Sequence, residues 1–234
     1  MFSGRTYFLT GSSSGIGAAI AKVLIDGNAR VIALGRHVEL IKGKDNYLPK
    51  RVDFSQVNQL EETFKRIIQK EQRIDGVICA AGVGQFSALE QFSFHQMQNI
   101  MDVNFTAQAL LVRLLIPRLK QQESSDIIFI GSEAALNGGK NGAMYCASKF
   151  ALRGFSQALR EECSKSGVRV MLINPGMVKT PFFDHLNFEP GEEPENYILP
   201  EDVADAVKLI LSARQGTLFE EINLSPLKKV IKFN

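Results

Sequence analysis

Apolar residues in this chain fall into short unbroken runs that alternate with stretches where they recur every three or four positions. The run TYFLT (6–10) breaks at Gly11, and GIGAAIAKVLIDGN then carries apolar residues at helical spacing as far as Gly27-Asn28. A β-rich run followed by a 3.6-residue period predicts a strand, a glycine turn and a helix. RVIALGR (30–36) and YLPKRVDFS (47–55) predict the second and third strands, and QVNQLEETFKRIIQKE places Leu60, Phe64, Ile67 and Ile68 on one helical stripe. IDGVICAAG (74–82) is almost wholly apolar, as a parallel strand covered on both faces should be.

The alternation continues with a long helical stretch from about Phe94 to Gln121, a fifth strand SDIIFIGS (125–132), a helix over 145–167 and a sixth strand VRVMLINPG (168–176). Beyond Gly176 the period fails. Residues 177–199 mix prolines, acids and aromatics, which predicts a mobile substrate-side loop with at most short helices. PEDVADAVKLILSA (200–213) is a helix that opens on Pro200 and acids, and EEINLSP supplies a last short strand. Without repeats or linkers, residues 1–234 are expected to form a single α/β domain. Its core is a doubly wound parallel sheet, with the ligand at the carboxyl ends of the strands.

Composition narrows the function classes. The 234 residues carry 27 Lys plus Arg against 25 Asp plus Glu, a net charge of +2 that gives no reason to expect nucleic acid or an anionic membrane as partner. The basic LKKVIKF stretch is expected to be a solvated tail. Cys79, Cys146 and Cys163 have neither paired nor CxxC spacing, which argues against disulfides and zinc and for a reducing compartment. The N-terminus lacks the layout of a signal peptide and no apolar run approaches a membrane span, so the expected location is the cytoplasm.

Three local patterns carry chemistry. In Thr10-Gly11-Ser12-Ser13-Ser14-Gly15-Ile16-Gly17 the glycines let main-chain N–H groups approach a phosphate and aim a helix N-terminus at it. At the end of the second strand, where an acid would hold the ribose hydroxyls of NAD, Gly35 and Arg36 stand instead, and a guanidinium suits the 2′-phosphate of NADP. In MYCASKF (144–150), Tyr145 and Lys149 are four residues apart on one helix face. A free tyrosine has a pKa of about 10, too high for a base near neutrality, and a neighbouring ammonium favours the phenolate.

Together with Ser132 and Asn174-Pro175-Gly176, these motifs make the chain resemble the short-chain dehydrogenase/reductase family in its compact form, over essentially its whole length. The spacing from Ser132 to the Y-x-x-x-K pattern is the most specific part. The resemblance implies an oxidoreductase that moves hydride between a nicotinamide cofactor, NADP(H) in preference to NAD(H), and a carbonyl or alcohol. It implies that Tyr145 exchanges the substrate proton, that Lys149 binds the nicotinamide ribose and lowers the tyrosine pKa, that Ser132 bonds the substrate oxygen, and that Asn104 holds a water joining the lysine to solvent. Gly11, Ser13, Ser14, Gly15, Ile16 and Gly17 would cradle the phosphates, Asp53-Phe54 would meet the adenine, Ala81 and Gly82 would line the cofactor, and Pro175-Gly176, Val178 and Thr180 would hold the nicotinamide. It further implies that the helices at 94–121 and 145–163 pair between subunits in a homodimer or homotetramer, through positions such as Leu110, Leu111, Leu114 and Phe155.

One stretch departs from the family. Where Asn-Asn-Ala-Gly is common, this chain has Cys79-Ala80-Ala81-Gly82, which predicts loss of the asparagine's support between strands. His37, His95 and His185 lack ligand spacing and no metal is expected. A rival function of another class is a nucleotide-binding sensor or scaffold without turnover. Ser132, Tyr145 and Lys149 argue against it, because a sensor has no need of a proton donor. Phe182, Phe183, Phe188 and Tyr197 hint at an apolar or ring-bearing substrate.

Overall fold

A computed structural model of the chain describes residues 1–39, 41 and 43–233. The first half runs β1 (Thr6–Thr10), α1 (Gly15–Asp26), β2 (Arg30–Gly35), β3 (Tyr47–Arg51), α2 (Val57–Ile68) and β4 (Gly76–Cys79). The second continues with α3 (Phe94–Met101), α4 (Ala107–Leu119), β5 (Ser125–Ile130), α5 (Ala143–Cys163), β6 (Val168–Pro175), β7 (Phe188–Pro190), α6 (Pro200–Ser212), β8 (Glu221–Leu224) and β9 (Ile231–Phe233). Seven strands form one parallel sheet in the order β3-β2-β1-β4-β5-β6-β8. The order reverses between β1 and β4, so a crevice opens above that pair.

Strand geometry sorts the core into two layers, because successive side chains point to opposite faces. Phe8, Val170 and Leu172 pack with Phe64, Leu111 and Leu115 under α2, α4 and α5. Leu9, Met171 and Ile173 pack with Ile20, Leu24 and Val207 under α1 and α6. Each fully buried side chain of this size contributes about 1.5–3 kcal/mol, so both faces of the sheet are committed. Pro49 is accommodated because β3 is an edge strand.

The structure revises four expectations. The stretch 94–121 is two helices joined by one π-helical turn, Asp102–Thr106, rather than a uniform helix. By length and composition alone Phe94–Leu119 is apolar enough to cross a membrane, against the sequence expectation, but Ile100, Leu111, Leu115 and Leu119 from it are spent in the core. The loop 177–199 and the C-terminal tail are not merely irregular: β7 within the loop pairs antiparallel with β9 in the tail. Neither three-residue strand has a period long enough to read, and each exists only through the other. Leu111, expected at a subunit interface, is buried, while Leu110, Leu114 and Phe155 are half-buried against the core.

Candidate active site

The carboxyl ends of β1, β2, β4, β5 and β6 surround a cleft of about 1020 Å³. Every residue predicted to catalyse or to hold the cofactor lines it except Asn104, which lies one layer behind. Gly11 makes the turn at φ +71, and a Cβ there would meet the Ala81 backbone at 2.8 Å. A Cβ on Gly17 would strike the Gly11 carbonyl oxygen, so α1 can start this close to β1 only with glycine there. No acid occupies the first turn of α1, and its cap residue Ser14 makes no side-chain bond, which leaves the helix N-terminus open to an anion.

Arg36 is exposed at the end of β2. Asp53 is exposed as well, its Oδ1 accepting from the Ser55 N–H at 3.0 Å and hydroxyl at 2.8 Å. Partial burial works to raise the Asp53 pKa, but the Ser55 bonds and the Arg36 and Arg51 guanidiniums outweigh it and hold the carboxyl below its usual range.

The missing asparagine is replaced from elsewhere. Thr10 Oγ1 accepts from the Ala80 and Ala81 N–H groups, both at 3.0 Å, and donates to Gln108 Oε1 at 3.1 Å. Gln108 Nε2 donates onward to the Ala81 carbonyl at 3.0 Å and the Val103 carbonyl at 3.3 Å. The expected weakness between strands is therefore not found, because a fully buried glutamine on α4 ties β1 to the loop after β4. Sequence reasoning missed Gln108, since no local pattern marks a glutamine that faces inward.

Asn104 sits in the π turn, whose extra residue widens the helix where a buried polar side chain must turn inward. Its Oδ1 accepts from the Val83 N–H at 2.8 Å, and its Nδ2 donates to the Val83 carbonyl and to Ser148 Oγ, both at 3.0 Å. The Ser148 hydroxyl donates in turn to the Tyr145 carbonyl at 2.7 Å. Asn104 thus joins the β4 loop to α5.

Tyr145 and Lys149 lie in the first two turns of α5, both buried, with the ammonium 5.8 Å from the centre of the phenol ring. Burial pushes the Tyr145 pKa up to about 12, opposed by a hydrogen bond to Ser132 and assisted by Cys146 and Glu133. Burial alone pulls Lys149 down to about 8. The expected lowering of the tyrosine by the lysine is thus not present in the protein alone, where desolvation of the phenol dominates. Lys149 Nζ donates to the Ile130 carbonyl at 3.1 Å, and Asn174 Oδ1 is buried with no partner among the described residues. A buried ammonium with one backbone acceptor, an orphaned amide oxygen and a glycine-lined helix N-terminus fit the ribose hydroxyls, carboxamide and phosphates of a nicotinamide dinucleotide.

Val178 is buried and bridges to Ile198, while the Thr180 hydroxyl donates to the Val178 carbonyl at 3.3 Å and accepts from Phe182 N–H at 3.4 Å. The sequence did not single out Phe86, Glu133, Lys229, Ile231 or Phe233, all of which line the same cleft.

Comparison with known proteins agrees with this arrangement. The profile described as short chain dehydrogenase matches residues 5–190. The chain is 31% identical over 221 residues to the 3-oxoacyl-(acyl-carrier-protein) reductase FabG of Rickettsia felis, covering 90% of each chain. It is 30% identical over 224 residues to an uncharacterized oxidoreductase of Staphylococcus epidermidis, with 94% of this chain and 96% of that one covered. Among solved structures, a metagenomic short-chain oxidoreductase in complex with NADP superposes with a TM-score of 0.80 at 29% identity, over 97% of this chain and 99% of that one. An alcohol dehydrogenase of the archaeon Thermococcus sibiricus, complexed with 5-hydroxy-NADP, gives 0.85 at 24% identity over 97% and 98%, a likeness of fold.

Proposed function

Because the chain belongs to the short-chain dehydrogenase/reductase family, whose members are oxidoreductases acting on alcohol and carbonyl groups, we propose that it is NADP(H)-dependent and uses Tyr145 as general acid and base. The bound nicotinamide supplies or takes the hydride. The protein's share is to orient the substrate, exclude water and move one proton. The Ser132 hydroxyl donates to the substrate oxygen, and the Tyr145 phenol delivers a proton to that oxygen on reduction and removes it on oxidation. A pKa of about 12 keeps Tyr145 protonated and ready as an acid in the cofactor-free protein, and with the cofactor bound the Lys149 ammonium on the same helix face would ease its ionisation in the reverse direction. Asn104 is a positioning residue that fixes α5 against the β4 loop. Arg36 meets the 2′-phosphate, supported by the absence of an acid at Gly35 and by the guanidinium's exposure at the rim.

The observation that carries this reading is the pair Tyr145 and Lys149, buried together beside Ser132 with the ammonium bonded only to a backbone carbonyl among the described residues. A panel of ketones and alcohols assayed with both nicotinamides tests it. Turnover should occur with NADPH or NADP+ at a kcat/KM at least ten-fold above that with the 2′-unphosphorylated cofactor. Tight NADPH binding without turnover of any carbonyl would instead make the protein a cofactor-binding sensor.

The same reading includes assembly and location. Phe94 on α3 and Phe150 on α5 are exposed, 79% and 44%, which supports pairing of these helices in a homodimer or homotetramer. Three unpaired cysteines, all buried, support a cytoplasmic setting.

A further inference from the structure

The C-terminal segment does not run out into solvent. After β8 it follows the rim of the cleft, where Pro226 Cδ lies 3.0 Å from the position of a Cβ on Gly176, and Lys229 Nζ bonds to Glu133 Oε2 at 2.6 Å, one residue past Ser132. β9 then pairs with β7, setting Phe233 opposite Phe188 and Ile231 opposite Pro190. The Gly191 N–H donates to the Val230 carbonyl at 3.0 Å and the Lys228 N–H to the Glu195 carbonyl at 2.9 Å. Lys228 also pairs with Glu195, and Lys232 reaches Glu192 at 2.6 Å and Glu189 at 3.6 Å. Two lysines of the tail, Lys228 and Lys232, are thus paired with three glutamates of the loop. Exposed pairs of this kind are individually weak and screened by salt, so together they make a reversible fastening.

The fastened element is an aromatic wall. Ring centres run from Tyr145 to Phe86 at 5.0 Å, Phe86 to Phe188 at 4.9 Å, Phe188 to Phe183 at 5.8 Å, Phe183 to Phe182 at 5.2 Å and Phe182 back to Tyr145 at 5.9 Å. The circuit is closed, and one of its five members is the proton donor. Phe182 also spans the cleft, its ring filling the space a side chain on Gly84 would need. Beyond the circuit, Ile231 and Phe233 line the same cleft while remaining 51% and 73% exposed, so their apolar surface is available to a ligand.

We infer that the C-terminal strand is both the fastening of the lid and the outer wall of the substrate chamber, and that the chamber selects a carbonyl or alcohol with a ring-bearing or branched apolar body. The substrate class rests on the proposed oxidoreductase reading. Aromatic side chains present large, rigid apolar faces at low entropic cost, so a ring lying against Phe86 and Phe188 is favoured by stacking and by burial. The cation beside the Ser132 turn, Lys229, is already paired with Glu133, whereas Lys140 lines the same cleft exposed, so the apolar faces rather than the charge of the cleft set the preference.

Two measurements on the full chain, a form ending at Ser225, and Phe233→Ala separate the parts. Hydrogen–deuterium exchange of residues 177–199, read without substrate, should show protection falling in the shortened form and at high salt, while strands β1 to β6 stay protected. Equal protection with and without the tail overturns the fastening. Steady-state reduction with NADPH should show that the ratio of kcat/KM for an aryl ketone to that for a small aliphatic ketone drops about ten-fold in Phe233→Ala, through KM. An unmoved ratio, or a small aliphatic ketone that outperforms the aryl ketone in the unaltered protein, overturns the substrate class. A chain that reduced no carbonyl at all would remove the proposed activity and this substrate class with it, whereas the exchange experiment would still decide the fastening.

Discussion

The two ends of the central sheet treat buried charge in opposite ways. At the amino end, Asp126 is gripped by Arg169 at 2.7 Å and Arg5 at 2.9 Å, and Asp75 by Arg73 at 2.7 Å and the Thr6 N–H at 2.8 Å. Both carboxylates are buried; Arg169 hydrogen-bonds Asp126 through Nε at 2.8 Å, its Nη2 making the ion contact without a hydrogen bond, and the Tyr7 hydroxyl, without a partner among the described residues, stays neutral because burial raises its pKa. At the carboxyl end, Lys149 has one backbone acceptor, Asn174 Oδ1 has none, and Tyr145 is pushed up to about 12. Charge that is saturated by the protein holds strands in register. Charge left partly unsatisfied in a cleft is held for a ligand, and its shifted pKa values are the cost of that readiness.

Breaking the saturated end should have the largest effect. Asp126→Ala leaves Arg5 and Arg169 facing each other across a buried gap, and denaturant unfolding should show a loss of about 3–5 kcal/mol. The opposite end should behave in reverse. Lys149 titrates at about 8 when folded against its ordinary 10.5, so between these values the unfolded chain binds more protons and stability of the cofactor-free protein climbs as pH rises. Below about 8 the penalty is present in full. Lys149→Met should therefore stabilise the cofactor-free protein at neutral pH, by on the order of 3 kcal/mol, and flatten the rise between pH 8 and 10.5 while destroying activity. Thermal melts across that pH range check it, and an unchanged slope would assign the rise to other groups.

Two smaller effects sharpen the contrast. Arg36→Ala should weaken NADPH binding by ~1.5–3 kcal/mol, about ten- to a hundredfold by fluorescence titration, and leave NADH nearly untouched. Equal effects on both cofactors would contradict the assignment. Gln108→Leu removes a buried hub between Thr10 and Ala81, and should cost about 1–3 kcal/mol in stability and raise the Kd for either nicotinamide alike. A loss confined to NADPH would show that the hub acts elsewhere.

The saturated and the unsatisfied ends were not equally legible in the sequence. The alternating runs gave the seven-stranded parallel sheet because each strand and helix has its own period, set by local side-chain direction. The glycine turn, Ser132, Tyr145 and Lys149 were legible because their chemistry depends on residue type at short spacing, and the structure brings them to one cleft. Contacts between distant segments were not. Gln108 meets Thr10 across 98 residues, and Asn104 meets Ser148 across 44, with no local period to announce either. The tail read as a solvated charge run because its partners, Glu189, Glu192 and Glu195, lie in a loop whose conformation depends on the tail itself.

The central claim is that the unsatisfied end is a proton-transfer site, with Tyr145 as the acid and base. Phenylalanine keeps the ring and its contacts with Phe86 and Phe182 while removing only the hydroxyl. For any carbonyl the protein reduces, kcat of Tyr145→Phe with NADPH should fall at least ~10²-fold while the Kd for NADPH stays within about two-fold of the unaltered protein. Near-normal turnover by Tyr145→Phe would contradict the account.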